Sequence, residues 1–222
     1  MPFPPEPFTY HGGCNCRSIR YRIAVPAEMS RPLNIYGTSA APERLPMSVI
    51  CQCNDCRRTH GQAFGFALIN VLSWASFSLR SQSEEERKEE HKEEKVGEER
   101  QEDWIPAPAL FDATTGPRLD VPVLKDSTLK FFRSSPNRAR GFCSNCGTPL
   151  CYFAFATPDK LPEGWYPQLD IWAGTVDRGD LEKEWFRPER ELWTDFGLEW
   201  GMGITKKGAS GVTRCRRYKL ED

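Results

Sequence analysis

The clearest pattern along the chain is a period of two, in which apolar side chains alternate with charged ones. After a Gly-rich turn, Ile19, Tyr21 and Ile23 alternate with Arg20 and Arg22. Because successive side chains of a strand point to opposite faces, this pattern predicts a half-buried strand. Runs rich in aromatic and aliphatic residues, bounded by Gly, Pro, Ser or Asn, predict further strands at residues 66–72, 76–79, 128–133, 149–155 and 168–173. Together these elements predict an all-β domain.

One charged stretch interrupts the pattern. Residues 84–103 hold eleven acidic and five basic side chains, with Val96 as the only aliphatic residue. Such a segment cannot bury a face against a core, so we expect a disordered loop or a solvated helix. Four prolines within residues 104–123 predict an irregular continuation, which places a charged irregular insertion at about residues 81–125. The insertion is either a tolerated surface feature or a docking segment for a basic partner.

The chain therefore divides into an N-terminal extension at residues 1–9, a domain at residues 10–200 that contains the insertion, and a basic C-terminal tail at residues 201–222. A length of 222 residues suits one large domain, and 18 Pro with 17 Gly disfavour a helical bundle. A net charge of -1, from 30 basic and 31 acidic residues, excludes a general polyphosphate binder.

The first residues, MPFPPEPF, show no basic segment followed by an apolar one. The longest nearly apolar stretch, residues 64–72, is far shorter than the roughly 20 residues of a membrane helix. We therefore expect a cytoplasmic protein, with the nucleus as a second compartment and no membrane partner. In a reducing compartment, nine cysteines are metal ligands or catalytic thiols more often than disulfide partners.

Seven of the nine cysteines fall into three close groups. The groups are Cys14-x-Cys16, Cys51-x-Cys53-x-x-Cys56 and Cys143-x-x-Cys146. Such spacing is typical of tetrahedral zinc sites, because a Zn–S distance near 2.3 Å requires neighbouring sulfur atoms about 3.8 Å apart. Zn²⁺ is therefore the predicted cofactor, bound at two sites. Of the other two cysteines, Cys151 in an aromatic run is expected to be a buried thiol, and Cys215 a surface thiol.

The two pairs would together supply four ligands for a structural zinc that joins the start of the domain to its middle. The trio Cys51, Cys53 and Cys56 would hold a second zinc with one position open. An open position is typical of a catalytic zinc and accepts water or a substrate thiol. As an alternative, His60 or Cys151 completes this second set and both zinc ions are structural.

These motifs resemble the glutathione-dependent formaldehyde-activating enzyme family, which includes centromere protein V. The resemblance rests on GCNC at residues 13–16, CQCNDCR at 51–57 and FCSNCGT at 142–148, together with LDIWAGTVD at 169–177. It implies an Mss4-like β-tent stapled by zinc, with a structural site at the two pairs and a catalytic site at the trio. It also implies a carbon-sulfur lyase that reversibly joins glutathione and formaldehyde to give S-(hydroxymethyl)glutathione. The charged insertion and the basic tail depart from the family pattern.

The trio's chemistry suits a small thiol substrate such as glutathione. Three thiolates around a divalent ion favour a soft sulfur as the fourth ligand over hydroxide, and a thiol bound there loses its proton at neutral pH. His60 is the histidine nearest to the trio in sequence and is a candidate acid–base group, with a surface loop position as the alternative. Arg57 and Arg58 are candidates for binding substrate carboxylates, with a solvated pair as the alternative.

A non-catalytic, zinc-stapled binding module for a protein or chromatin partner is the competing hypothesis. Its support is the basic tail, which holds six Lys and Arg residues between positions 206 and 219. Aromatic residues are not interleaved with these charges beyond Tyr218, so nucleic acid is not an expected partner. A zinc hydrolase, or a lyase for another thiol adduct, is a third reading. We expect a monomer or a homodimer.

Overall fold

The computed structural model describes residues 3–35, 43–80, 103–208 and 213–214. These residues form mostly β-sheet with few short helices, which agrees with the all-β prediction. The strands are β1 (Phe8–Gly13), β2 (Ile19–Val25), β3 (Met47–Cys51), β4 (Gly65–Val71), β5 (Ala75–Leu79), β6 (Ile105–Pro106), β7 (Phe111–Asp112), β8 (Gly116–Pro117), β9 (Leu129–Ser135), β10 (Arg138–Cys143), β11 (Pro149–Ala154), β12 (Gln168–Trp172), β13 (Arg190–Leu192) and β14 (Thr213–Arg214). The α-helices are α1 (Asn54–His60), α2 (Ala107–Leu110), α3 (Pro122–Asp126), α4 (Arg178–Leu181) and α5 (Glu199–Gly208).

A four-stranded sheet with the order β1-β2-β5-β6 forms one side of the main core. Its central strand β2 carries the alternating pattern of the sequence, and Ile19, Tyr21 and Ile23 are fully buried. The arginines between them lie on the opposite face and are half-buried. The period of two therefore identified the inward face correctly.

The larger sheet has eight strands in the order β14-β13-β3-β4-β12-β11-β10-β9, and both of its faces are covered. Leu68, Phe153 and Ile171 face the main core that the sheet shares with the four-stranded sheet. Neighbouring positions such as Met47 and Trp172 face a second, smaller core on the other side. This division determines which side chains can meet at each candidate site.

The predicted strands at residues 66–72, 76–79, 128–133, 149–155 and 168–173 are confirmed as β4, β5, β9, β11 and β12, with ends that differ by two residues or less. The sequence did not predict β3, β10 or β13. All five side chains of β3 are buried, so it has no polar alternation. β10 contains two arginines, a composition more typical of a loop.

The expectation of an irregular segment at residues 104–123 is wrong. This segment holds β6, α2, β7 and β8, and Ala107, Leu110 and Phe111 are buried in the main core. The prolines begin helices rather than interrupting structure: Pro106 is the N-cap of α2 and Pro122 lies in the first turn of α3. The charged run up to residue 102 lies outside the described residues.

Both ends of the described chain pack against the domain. Phe3 is buried and its ring stacks on Phe8, so part of the predicted N-terminal extension belongs to the core. In the predicted basic tail, β14 pairs in parallel with β13, and residues 209–212 and 215–222, with Cys215, lie outside the description. In the described ranges, no helix combines the length and apolar character needed to cross a membrane.

Candidate metal centres and the adjoining pocket

The first candidate centre joins the two sheets through Cys14, Cys16, Cys143 and Cys146. Their four Sγ atoms lie within 4.8 Å of one another. The Sγ of Cys16 is 3.5 Å from that of Cys14 and 3.6 Å from that of Cys143, close to the separation of about 3.8 Å in a tetrahedral thiolate site. Gly147 supplies a positive φ of 74° directly after Cys146. This group could hold a metal ion.

Hydroxyl and amide groups surround these sulfur atoms. The Ser18 hydroxyl lies 3.1 Å from the Sγ of Cys16 and 3.4 Å from that of Cys143, and it is 2.7 Å from the Thr128 hydroxyl. A hydrogen bond from the Cys14 thiol lowers the pKa of Cys143 to about 3, while the same pairing raises the pKa of Cys14. The centre therefore favours thiolate, the form that binds metal.

The second candidate centre is formed by Cys51, Cys53 and Cys56 on the other face of the large sheet. Cys51 ends β3, and Cys53 is the N-cap of α1, where its Sγ accepts a hydrogen bond from the backbone N–H of Cys56 at 3.3 Å. This cap brings the C-x-x-C sulfur atoms together. The three Sγ atoms lie within 4.8 Å of one another and could also hold a metal ion.

The surroundings of the trio also stabilise one of its cysteines as a thiolate. Hydrogen bonds from the Cys51 and Cys56 thiols lower the pKa of Cys53 to about 2, and the positive charge of Arg140 adds to this effect. The pKa of Cys51 is raised by the same pairing. One thiolate is therefore stabilised among three sulfur atoms, which is the starting state for metal binding.

In the described part of the chain, the trio has no fourth Cys, His, Asp or Glu close enough to share an ion. His60 is not part of the group; its ring contacts Trp172 edge-on, with the ring centroids 3.8 Å apart. Cys151 is fully buried in the main core across the sheet, as the sequence predicted for a core thiol. Neither residue that the sequence offered as a fourth ligand completes the trio.

A pocket of about 180 Å³ is connected to the trio through Arg140, which lines the pocket and contacts the Sγ of Cys56, whereas none of the three cysteines lines it. Its walls include His60 from α1, Arg140 and Phe142 from β10, Trp172 from β12, and Gly147 from the loop of the first centre. Burial, together with the positive charge of Arg140, lowers the pKa of His60 to about 4. The imidazole is therefore neutral near pH 7, and its buried Nε2 has no hydrogen-bond partner in the described residues.

Arg140 is the residue of this pocket that sequence reasoning missed. It is 5% exposed, and its Nη2 donates to the Sγ of Cys56 at 3.6 Å. The guanidinium lies 5.0 Å above the ring of Tyr152, while its Nε and Nη1 are buried with no partner among the described residues. Leaving a buried donor unsatisfied costs about 1–3 kcal/mol. No local signal singled it out, since the two arginines of β10 make this run resemble a loop in the sequence.

Arg57 and Arg58, the two arginines that the sequence analysis proposed for binding substrate carboxylates, lie outside the pocket. Arg58 is exposed on α1, and the Nη2 of Arg57 donates to the Asn54 side chain at 3.4 Å. Neither residue lines the pocket beside the trio.

The carboxyl group of Asp170 lies on the same face of the sheet as Arg140, two strands away. The ladder pairs Arg140 with Tyr152 and Tyr152 with Asp170. Burial raises the pKa of Asp170 to about 7, although the charges of Arg140 and Arg138 oppose that change. Asp170 is therefore partly protonated near neutral pH.

Comparisons with known proteins identify no family for this chain. No protein-family model matches, and no curated protein matches. A crystal structure of a Rhodobacter sphaeroides protein is similar to 78% of this chain over 95% of its own length, with 12% identity and a TM-score of 0.32. A TM-score this low carries no argument about fold or function.

Proposed function

We propose that this protein is a zinc-dependent carbon-sulfur lyase acting on a glutathione-type thiol adduct. The reaction we favour is the reversible formation of S-(hydroxymethyl)glutathione from glutathione and formaldehyde. The observation that carries the proposal is a three-thiol group, without a fourth ligand in the described residues, whose Cys56 contacts Arg140 of a pocket that His60 also lines. The motif resemblance to the glutathione-dependent formaldehyde-activating enzymes, which implies an Mss4-like fold, supports the same reading.

The donor sets fit zinc, because thiolate-only sites select soft or borderline metals. Cys14, Cys16, Cys143 and Cys146 would hold a structural ion, and Cys51, Cys53 and Cys56 a second ion. At the second site, zinc would supply a position where a substrate thiol is held as thiolate at neutral pH.

The carbon–sulfur bond forms when the thiolate sulfur adds to the aldehyde carbon and the carbonyl π electrons move onto the oxygen. That oxygen takes up the proton that the thiol released, so reactants and product balance. His60 is neutral near pH 7, and its partnerless Nε2 can carry this proton from sulfur to oxygen. The reverse reaction breaks the same bond and releases thiol and aldehyde.

The size of the pocket agrees with a small electrophile. About 180 Å³ is below the roughly 300–1,000 Å³ of pockets that enclose drug-sized ligands. The pocket therefore suits an aldehyde and the thiol arm of glutathione rather than the whole tripeptide.

Zinc content and sulfur coordination provide the first test. Elemental analysis should give two zinc ions per chain, and added glutathione should increase the sulfur coordination seen by zinc X-ray absorption. Exchange between ¹³C-formaldehyde and S-(hydroxymethyl)glutathione, followed by NMR, should be faster with the protein than without it. Cys53→Ser should abolish this acceleration, and Cys151→Ala, which removes a thiol outside both centres, should retain it.

Two zinc ions that ignore glutathione, together with no acceleration of exchange, would contradict the lyase proposal. That result would favour the zinc-stapled binding module, and a search for protein partners would follow.

A further inference from the structure

We propose that Arg140 is the oxygen-binding residue of the pocket, donating hydrogen bonds to the anionic oxygen of the group derived from the aldehyde. The identity of that oxygen rests on the proposed lyase function. The ability of Arg140 to bind a small oxygen anion does not, so the two can be tested separately.

The first observation is the set of hydrogen bonds that Arg140 lacks. An arginine has five N–H donors and cannot be deprotonated in proteins, so a buried guanidinium normally has several acceptors. Here the Nε and Nη1 of Arg140 have no acceptor in the described residues, and Nη2 donates to a sulfur, the Sγ of Cys56. No carboxylate of the described chain forms an ion pair with it. The acceptors for these donors are therefore expected to come from a ligand.

The second observation is the position of the guanidinium. Arg140 lines the same pocket as His60 and contacts the sulfur of Cys56 at 3.6 Å. In a thiol–aldehyde adduct, sulfur and oxygen are attached to the same carbon. The substrate sulfur would share one ion with Cys56, so an oxygen that accepts from Arg140 would lie near that substrate sulfur, as the adduct requires.

The third observation is the rigidity of the arginine. Its guanidinium lies 5.0 Å from the centroid of the Tyr152 ring and 5.8 Å from that of Trp172. Arg140 also sits in the middle of β10, paired on both sides by β9 and β11. A donor held in this way is oriented before the oxygen acquires its charge, which is the condition for electrostatic stabilisation of a transition state.

Formate is a suitable probe because it is a small oxygen anion that cannot undergo the lyase reaction. Binding of ¹³C-formate to the zinc-loaded full chain is measured by NMR, for wild type, Arg140→Met, Arg140→Lys and the control Arg58→Met. We expect wild type to bind formate and Arg140→Met to bind it at least about tenfold more weakly, as for loss of a charge-assisted hydrogen bond. Arg58→Met should bind formate as wild type does, because Arg58 is exposed and outside the pocket.

Two results would overturn the proposal: wild type that does not bind formate, or Arg140→Met that binds it as well as wild type. The second result would indicate that the metal alone holds the anion and that Arg140 only balances the charge of the thiolates. Melting temperature and zinc content check the fold of each variant. If Arg140→Met does not fold, the NMR signal of the Arg140 Nε–H is followed instead. This signal is assigned as the one that is missing from the spectrum of Arg140→Lys. It must shift in wild type when formate is added, and an unchanged signal rejects the proposal.

Kinetics then test which oxygen Arg140 binds. Arg140→Met should raise KM for formaldehyde or lower kcat, with KM for glutathione nearly unchanged. A change confined to KM for glutathione would overturn the assignment. Wild type that binds formate through Arg140 but does not accelerate exchange would reject the lyase function and leave the anion site in place.

Discussion

The two cysteine centres use the same ligand atom in opposite surroundings. Around Cys14, Cys16, Cys143 and Cys146, hydroxyl groups of Ser18 and Thr148 lie against the sulfur atoms, and the centre joins β1 to β10 across two sheets. Around the trio, Arg140 and His60 retain polar atoms that find no partner in the part of the chain that the structure describes. A satisfied site that joins distant segments suits a structural role, and an unsatisfied site beside a pocket suits a ligand. The surroundings of the sulfur atoms therefore separate the two roles better than the cysteine spacing does.

Removing one ligand from each centre is the strongest test of this comparison. Cys143→Ser should unfold or aggregate the protein, because the loss of a structural metal site costs on the order of 5 kcal/mol or more. Cys53→Ser should keep the fold and lose activity, because the trio lies at one strand end and a short helix. Circular dichroism and thermal melting measure the difference. Equal damage in both variants would falsify the division into structural and reactive centres.

A second test adds a side chain to the tightly packed backbone next to the first centre and leaves its four cysteines unchanged. A Cβ added to Gly12 would lie 2.2 Å from the Tyr21 hydroxyl and 2.3 Å from the carbonyl oxygen of Thr175. Gly12→Ala should therefore lower the free energy of unfolding by about 3 kcal/mol, measured by urea denaturation. Gly174→Ala is the matched control, since a Cβ there meets no atom within 4 Å. Similar effects from both substitutions would argue against tight packing beside this centre.

A third test addresses the pocket through His60. His60→Gln should slow the catalysed exchange about 100-fold, as expected for loss of a general acid–base group, and leave the zinc content unchanged. The rate of wild type should fall as the pH drops towards 4, because the pKa of His60 is lowered to about 4 and only the neutral ring accepts a proton. Full activity in His60→Gln would show that His60 only packs against Trp172 and takes no part in the reaction.

The smallest expected effect concerns Asp170, on the same face of the sheet as Arg140. Its pKa is raised from 3.8 to about 7 in the folded protein, so the folded state binds more protons than the unfolded state between these values. This contribution to stability is complete below pH 3.8 and is lost as the pH rises through 7. Asp170 is only half-buried, so solvent screens much of the effect of burial, and we expect the loss to be about 1 kcal/mol, well below the full value for such a shift.

Asp170→Asn should remove this pH dependence in urea denaturation, and NMR titration of the Asp170 carboxyl carbon should give a pKa well above 3.8. A carboxyl that titrates near its ordinary value would show that burial does not control it.

Much of the larger sheet and both cysteine centres could be predicted from the sequence, because the patterns that indicate them are local. Apolar runs identified β4 and β12, and short spacings grouped the ligands. The role of Arg140 could not be predicted, since it depends on which strands pair with β10. The choice of Arg57 and Arg58 ignored helical geometry: His60 follows Cys56 by four residues and shares its face of α1, whereas the two arginines are rotated about 100° and 200° away.

β10 links the two centres directly, because it contains Arg140 and ends at Cys143. Gly147, from the loop that carries Cys146, also lines the pocket. The first centre and the pocket's guanidinium are therefore carried by one strand, with Arg140 three residues before Cys143. If an ion bound at the first centre stabilises this strand, a ligand in the pocket would by thermodynamic reciprocity oppose dissociation of that ion. If the proposed function holds, metal supply and substrate concentration would be coupled variables for this protein.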